Sequence, residues 1–151
     1  MITEVGPKVI EFNCRFGDPE TQVVLPILEG DFLRLLYTSA IGDLDKKLVA
    51  YNGGASVCVV AASKGYPDSY NKGFEITGLD ELPLDIIVYH AGTKEEKGKI
   101  LTNGGRVLGV TSVISELNLK LAKQKAYKAL NKINFENIYF RNDIADKALS
   151  F

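Results

Sequence analysis

At 151 residues, with 46% hydrophobic and 25% charged residues, the chain has the make-up of an ordinary folded protein, which excludes disordered and fibrous classes. Eighteen basic residues against 19 acidic ones leave a net charge of −1, so electrostatics gives no reason to expect a nucleic-acid or membrane partner. There is no apolar run long enough for a transmembrane helix and no basic region leading into an apolar stretch as in a signal peptide; the sequence reads as cytoplasmic, with one domain or one domain and a fragment of another.

In chain order, residues 1–4 run through the turn Val5-Gly6-Pro7-Lys8 into an apolar stretch. This predicts a hairpin pairing residues 1–4 with 9–13. A chain that opens in the middle of a sheet is expected to be a fragment. Residues 9–16 read as a strand with Ile10, Phe12, Cys14 and Phe16 on one face and Glu11, Asn13 and Arg15 on the other. Successive Cα atoms on that polar face would lie roughly 6.6 Å apart. A carboxylate, an amide oxygen and a guanidinium in line suit a hard divalent metal beside a phosphate chain. By alternation alone, an exposed strand face with an accidental ion pair fits equally.

Gly17-Asp18-Pro19-Glu20-Thr21 follows as a helix start. Asp18 suits the N-cap, Pro19 the first helical position and Glu20 the positive end of the helix dipole. Pro26 lies too deep for a straight helix and predicts a break. Asp31 starts a second helix carrying Phe32, Leu33, Leu35, Leu36 and Ile41, ended by Gly42-Asp43. A boundary is expected at 43–52, where helical character gives way to strands. These are predicted over 56–62, 85–90, 99–102 and 106–111, with a turn-rich loop over 63–70. The last two flank Asn103-Gly104-Gly105, a hairpin signal. A helix is expected from 115 to 133, burying Leu119, Ala122, Ala126, Ala129, Leu130 and Ile133. Its lysines 120, 123, 125, 128 and 132 read as a solvated face rather than a basic patch. The fold class is α+β, a mainly antiparallel sheet with packed helices.

Several residues admit two readings. Gly104 and Gly105 could offer backbone N–H groups, with the Arg106 side chain, to a substrate phosphate, or could simply make a tight turn beside a surface cation. His90, the one histidine, reads as hydrogen-bonded and structural before it reads as a base. Lys64 and Tyr66 read as loop packing. Cys14 and Cys58 sit in apolar runs and suit buried free thiols, although a disulfide is compatible with the sequence.

Residues 11–22, Glu-Phe-Asn-Cys-Arg-Phe-Gly-Asp-Pro-Glu-Thr-Gln, resemble the metal-binding segment of the phosphoribosylamine–glycine ligase family (glycinamide ribonucleotide synthetases) in the ATP-grasp superfamily. Ala62-Ser63-Lys64-Gly65-Tyr66-Pro67 with Tyr70, Lys72 and Gly73 extends the likeness. So do His90-Ala91-Gly92-Thr93, the run from Asn103 to Thr111, and Arg141-Asn142-Asp143-Ile144. The motifs come in the family's order and cover essentially the whole chain. One departure is Ala145, where the family commonly has glycine; a positive φ there would strain alanine.

The resemblance implies the purine-biosynthetic step that joins glycine and 5-phosphoribosylamine through a glycyl phosphate, with ATP as phosphoryl donor. It implies Glu11 and Asn13 as ligands of Mg²⁺ or Mn²⁺, and Arg15 as the catalytic and ATP-binding cation at the transferring phosphoryl group. Asp18, Gly104, Gly105 and Arg106 are implied as substrate contacts, with helix capping an equal account of Asp18. Residues 1–48 would be the end of the ATP-grasp lobe and 49–151 the carboxy-terminal domain. The amino-terminal and remaining ATP-grasp portions of the enzyme are then the expected partners. The alternatives are a stand-alone module that binds a ligand or partner without catalysis, and an ATP-grasp ligase for another carboxylate, against which Gly-Gly-Arg and Lys-Gly-Tyr-Pro argue. No adenine pocket or phosphate-covering glycine-rich loop is legible in the sequence. The 151-residue chain alone is therefore expected to be inactive and to bind Mg-ATP weakly or not at all; micromolar affinity by isothermal titration would contradict this.

Overall fold

The computed structural model describes residues 2–12 and 14–150. Its elements are β1 (Ile2–Thr3), β2 (Gly6–Pro7), α1 (Thr21–Val24), β3 (Leu28–Gly30), α2 (Phe32–Ala40), β4 (Val49–Tyr51) and β5 (Ala55–Ser63). They continue with β6 (Ile86–His90), β7 (Thr93–Glu96), β8 (Lys99–Thr102), β9 (Arg106–Ile114), α3 (Leu119–Leu130), β10 (Ile138–Tyr139) and α4 (Asp146–Leu149). The centre is a four-stranded antiparallel sheet in the order β10-β5-β9-β6. Two-stranded ribbons β1-β2, β3-β4 and β7-β8 accompany it. The expected α+β class with antiparallel pairing holds.

The β-branched run in β5 and its counterpart in β9 form nine-residue strands whose centres are dry. Val59 pairs with Val110, and both are fully buried. Alternation sends Val57, Val59 and Ala61 toward α3, where Ala122, Ala126, Ala129 and Leu130 form the buried stripe read from the sequence. Ser112 sits in this apolar layer and donates from Oγ to the Ala122 carbonyl at 2.6 Å, which satisfies its hydroxyl. The helix runs Leu119–Leu130, shorter than the expected 115–133, because Asn118 caps it by accepting from the Leu121 N–H. Ile133 is nevertheless buried just beyond its end.

Four expectations fail locally. Residues 8–12 and 14–17 are not a strand: no β-ladder among the described residues includes them, and a strand exists only within a ladder. The opening hairpin pairs Ile2 with Pro7 and Thr3 with Gly6 across a tighter turn than expected. Cys14, read as buried, is exposed, and both cysteines are free thiols. Finally, β8 and β9 do not form a hairpin. β8 pairs with β7, which the sequence reading missed, while β9 joins the central sheet. The Asn103 N–H donates to the Gly92 carbonyl at 2.7 Å, and a Cβ built on Gly92 would sit 2.5 Å from the Gly104 Cα. The glycines thus allow two backbones to touch where the ribbon re-enters the sheet.

The break at Pro26 is a 3-10 turn over Leu25–Ile27. The Asp31 cap is also present, with its side chain accepting from the Arg34 N–H at 2.9 Å. One face of α2 is unpacked among the described residues: Leu33 is 78% exposed.

Ala145 adopts φ 67° and ψ 1°, the left-handed conformation that a glycine would enter freely. The Tyr127 hydroxyl braces this bend, donating to the Arg141 carbonyl at 2.6 Å and accepting from the Ile144 N–H at 3.2 Å. Left-handed backbone costs alanine about 1–2 kcal/mol, partly offset by the extra unfolded-state entropy of glycine. Ala145→Gly should therefore stabilise the fold by about 0.5–1 kcal/mol in urea denaturation; a loss of stability would mean that the alanine methyl's packing outweighs the strain.

Candidate functional site

The segment before α1 and the start of β9 are the two places where the sequence concentrates candidate chemistry, and the fold brings them together. Glu11, Arg15, Gly17, Asp18 and Glu20 line an open groove of about 390 Å³. Glu11 and Arg15 therefore share one site without a strand to align them. Arg15 donates to the neighbouring Phe16 carbonyl at 3.2 Å and is otherwise turned to solvent. Asn13 lies outside the described residues.

Asp18 is not a helix cap. α1 begins at Thr21 with no side-chain cap bond, while Thr21 Oγ1 and its N–H both donate to the Gly17 carbonyl. The Asp18 carboxylate is used elsewhere: Oδ1 accepts from Gln22 Nε2 at 2.8 Å and Oδ2 pairs with Arg106 Nη1 at 3.1 Å. Arg106 Nη1 also donates to the Asp18 backbone carbonyl at 3.3 Å. Two residues that were separate substrate candidates thus form one ion pair. Gln22 was missed, although its position one helical turn after Asp18 was a usable signal.

The direction of Arg106 follows from a β-bulge. Along β5 and β9 the register runs from Ala55 opposite Ile114 to Ala61 opposite Leu108, but Ala62 lies opposite Arg106. Val107 is the extra residue. Cross-strand partners share a face, so Leu108 sides with Ala61 toward α3, whereas Arg106 sides with Ala62 and Cys58 toward α1. Without the bulge, residues 106 and 108 would point the same way, into the core.

Gly104 and Gly105 are held from the other side. Ser63 donates from Oγ to the Gly104 carbonyl at 2.9 Å and from its N–H to the Gly105 carbonyl at 2.8 Å. The Tyr66 ring covers Gly105 so closely that a Cβ there would meet ring atom Cδ2 at 2.0 Å. Lys64 donates its N–H to the Asn137 carbonyl at 2.9 Å, and its side chain borders a polar recess with Ser69, Tyr70 and Asn71. His90 Nδ1 lies 3.0 Å from Thr93 Oγ1, in keeping with a hydrogen-bonded, structural role. Two lysines of α3 are held in place, Lys123 by Asp146 and Lys125 by Asp85, and Lys132 just beyond the helix is held by the Glu81 carbonyl. Beneath α1, burial pushes the Cys58 thiol up, countered in part by the Thr111 hydroxyl on the facing strand, with the Asp18 charge adding a smaller upward push. A neutral, buried thiol there is a packing group rather than a nucleophile. No helix among the described residues is long and apolar enough to cross a membrane.

Residues 56–147 match the family described as phosphoribosylglycinamide synthetase, C domain. The chain is 50% identical over 145 residues to a phosphoribosylamine–glycine ligase of Caldanaerobacter subterraneus subsp. tengcongensis, covering 96% of the chain and 34% of that protein. It is 48% identical over 157 residues to the trifunctional purine biosynthetic protein adenosine-3 of Gallus gallus, covering all of the chain and 15% of that protein. In the crystal structure of a phosphoribosylamine–glycine ligase from Thermotoga maritima, a region similar at 36% identity and a TM-score of 0.80 covers 96% of the chain and 35% of the solved one. The chain thus spans about a third of the length of the ligases it matches.

The Asp18 and Arg106 side chains are 51% and 42% exposed, so water screens their attraction. A double-mutant cycle with Asp18→Asn and Arg106→Gln, read by urea denaturation, should give a coupling of at most about 1 kcal/mol. A coupling of several kcal/mol would mean that the pair supports the fold instead of merely facing the groove.

Proposed function

The chain belongs to the phosphoribosylglycinamide synthetase C-domain family, and from that premise we propose that it is the carboxy-terminal part of a phosphoribosylamine–glycine ligase. The reaction would join 5-phosphoribosylamine to glycine by way of a glycyl phosphate, with ATP consumed, in the cytoplasm. The observation that carries this reading is the Asp18–Arg106 contact. It joins the acidic segment and the Gly-Gly-Arg turn, 88 residues apart, at one place, as a shared site for phosphate-bearing reactants requires. Residues 1–48 would complete the ATP-grasp lobe and 49–151 form the carboxy-terminal domain, acting with the rest of the enzyme.

Within this reading Glu11 and Asn13 hold Mg²⁺ or Mn²⁺. The groove fits such an ion in chemistry, since the acidic residues Glu11, Asp18 and Glu20 line it. Among the described residues no group of three or more acidic, histidine or cysteine side chains is arranged as a complete metal cage. Mg²⁺ is commonly held by one or two carboxylates, with phosphates and water supplying the rest. When bound, the ion supplies charge neutralisation at the ATP phosphates. Arg15 adds a guanidinium to the same groove, where it offsets charge on the phosphoryl group in transfer. Arg106, with the Gly104–Gly105 backbone, receives the substrate phosphate, and Asp18 orients Arg106 and the bound substrate. No protein nucleophile is required. A stand-alone, non-catalytic module is not favoured, because relatives 50% and 47% identical to the chain bear ligase names.

In a full-length ligase carrying this chain, Glu11→Gln should abolish metal-dependent turnover and leave the thermal midpoint within a few degrees of the parent. Undiminished activity would refute Glu11 as a metal ligand.

A further inference from the structure

We propose that Ser63 and Tyr66 are positioning residues that aim Arg106 at the substrate phosphate, an inference that rests on the role proposed above for Arg106. Ser63 is 4% exposed and directs all three of its polar groups to this end of the sheet. Its hydroxyl and N–H reach the two successive carbonyls of Gly104 and Gly105, and its carbonyl accepts from the Tyr66 N–H at 3.1 Å. One residue thereby links the double-glycine turn to the loop that carries Tyr66. The Tyr66 ring then lies flush on Gly105, in the space a side chain would fill, and is itself backed edge-on by Tyr70 at 6.1 Å between centroids.

This support is needed at the turn because glycine has no side chain to restrict it and samples a wide range of φ. Two consecutive glycines immediately before Arg106 would leave the guanidinium poorly aimed. Two hydrogen bonds and an aromatic cover remove that freedom on the side away from the groove. The bulge at Val107 sets which face Arg106 occupies; Ser63 and Tyr66 set where on that face its backbone sits. Neither residue needs to touch substrate for this.

The test uses the full-length ligase in the reverse direction, with glycinamide ribonucleotide, ADP and phosphate as the reactants. Ser63→Ala and Tyr66→Ala should each raise KM for glycinamide ribonucleotide about tenfold, with KM for ADP and kcat within about twofold of the parent. Tyr66→Phe, which keeps the ring, should restore the parental KM. Placed on an Arg106→Ala background, Tyr66→Ala should add nothing further, because its effect runs through Arg106. The proposal is overturned if Arg106→Ala raises KM but Ser63→Ala and Tyr66→Ala do not, or if the effects of Tyr66→Ala and Arg106→Ala simply multiply. If Arg106→Ala itself leaves KM unchanged, the phosphate-binding reading of Arg106 falls first and takes this inference with it.

Discussion

The pairing of β5 with β9 is the constraint on which the rest of the molecule depends. Its central residues, Val59 and Val110, are shielded from water by α3 on one face, and burial of this kind is the dominant favourable term in folding. The same ladder determines what happens at its end. One inserted residue, Val107, reverses the alternation, so that a strand otherwise directed into the core presents a cation to the opposite face. A packing element and a candidate binding element are thus parts of one strand, separated by one bulge.

The sequence made the core legible because its signals are local and redundant. The β-branched run of β5 and the helical spacing of Ala122, Ala126, Ala129 and Leu130 each specify an element without reference to distant residues. Asp31 and the break at Pro26 were readable for the same reason. Ala145 was readable through a departure from the family's pattern, and its left-handed backbone gives that departure a physical meaning. What failed was non-local. Residues 9–16 carry a clean alternation, yet alternation describes which side chains could share a face and not whether a neighbouring strand is available. The glycine turn at 103–105 looked like a hairpin because nothing in a short window reveals that Gly92 will press against it. The candidate site divides along the same line: Glu11, Arg15, Asp18 and Arg106 were all named as candidates, but the contact of Asp18 with Arg106 depends on the bulge, and Ser63 carried no signal of its own.

Charge and apolar burial play separate parts here. Asp18 and Arg106 face one another half in water, where an ion pair adds little to stability. A guanidinium so weakly committed can exchange one oxyanion for another at small cost, whereas a fully buried partner could not be displaced without a large desolvation penalty. The interior under α3 is held by apolar contact and by few polar bonds, such as that from Ser112 to Ala122. Rearrangement of charges in the groove can therefore proceed without disturbing the fold that supports it.

The excursion between β5 and β9 also bears on how the chain reaches this state. Residues 64–105 contain a loop, β6 at the far edge of the same sheet and the β7-β8 ribbon outside it, all of which come before β9 pairs with β5. Cys58 cannot find Thr111 by extending a local turn; the whole intervening segment must be looped out first. Because α3 packs against a surface that exists only after this closure, helix docking cannot substitute for it as an early step. The central ladder therefore joins residues far apart in the chain, a topology that goes with slower folding than one built from local helical contacts.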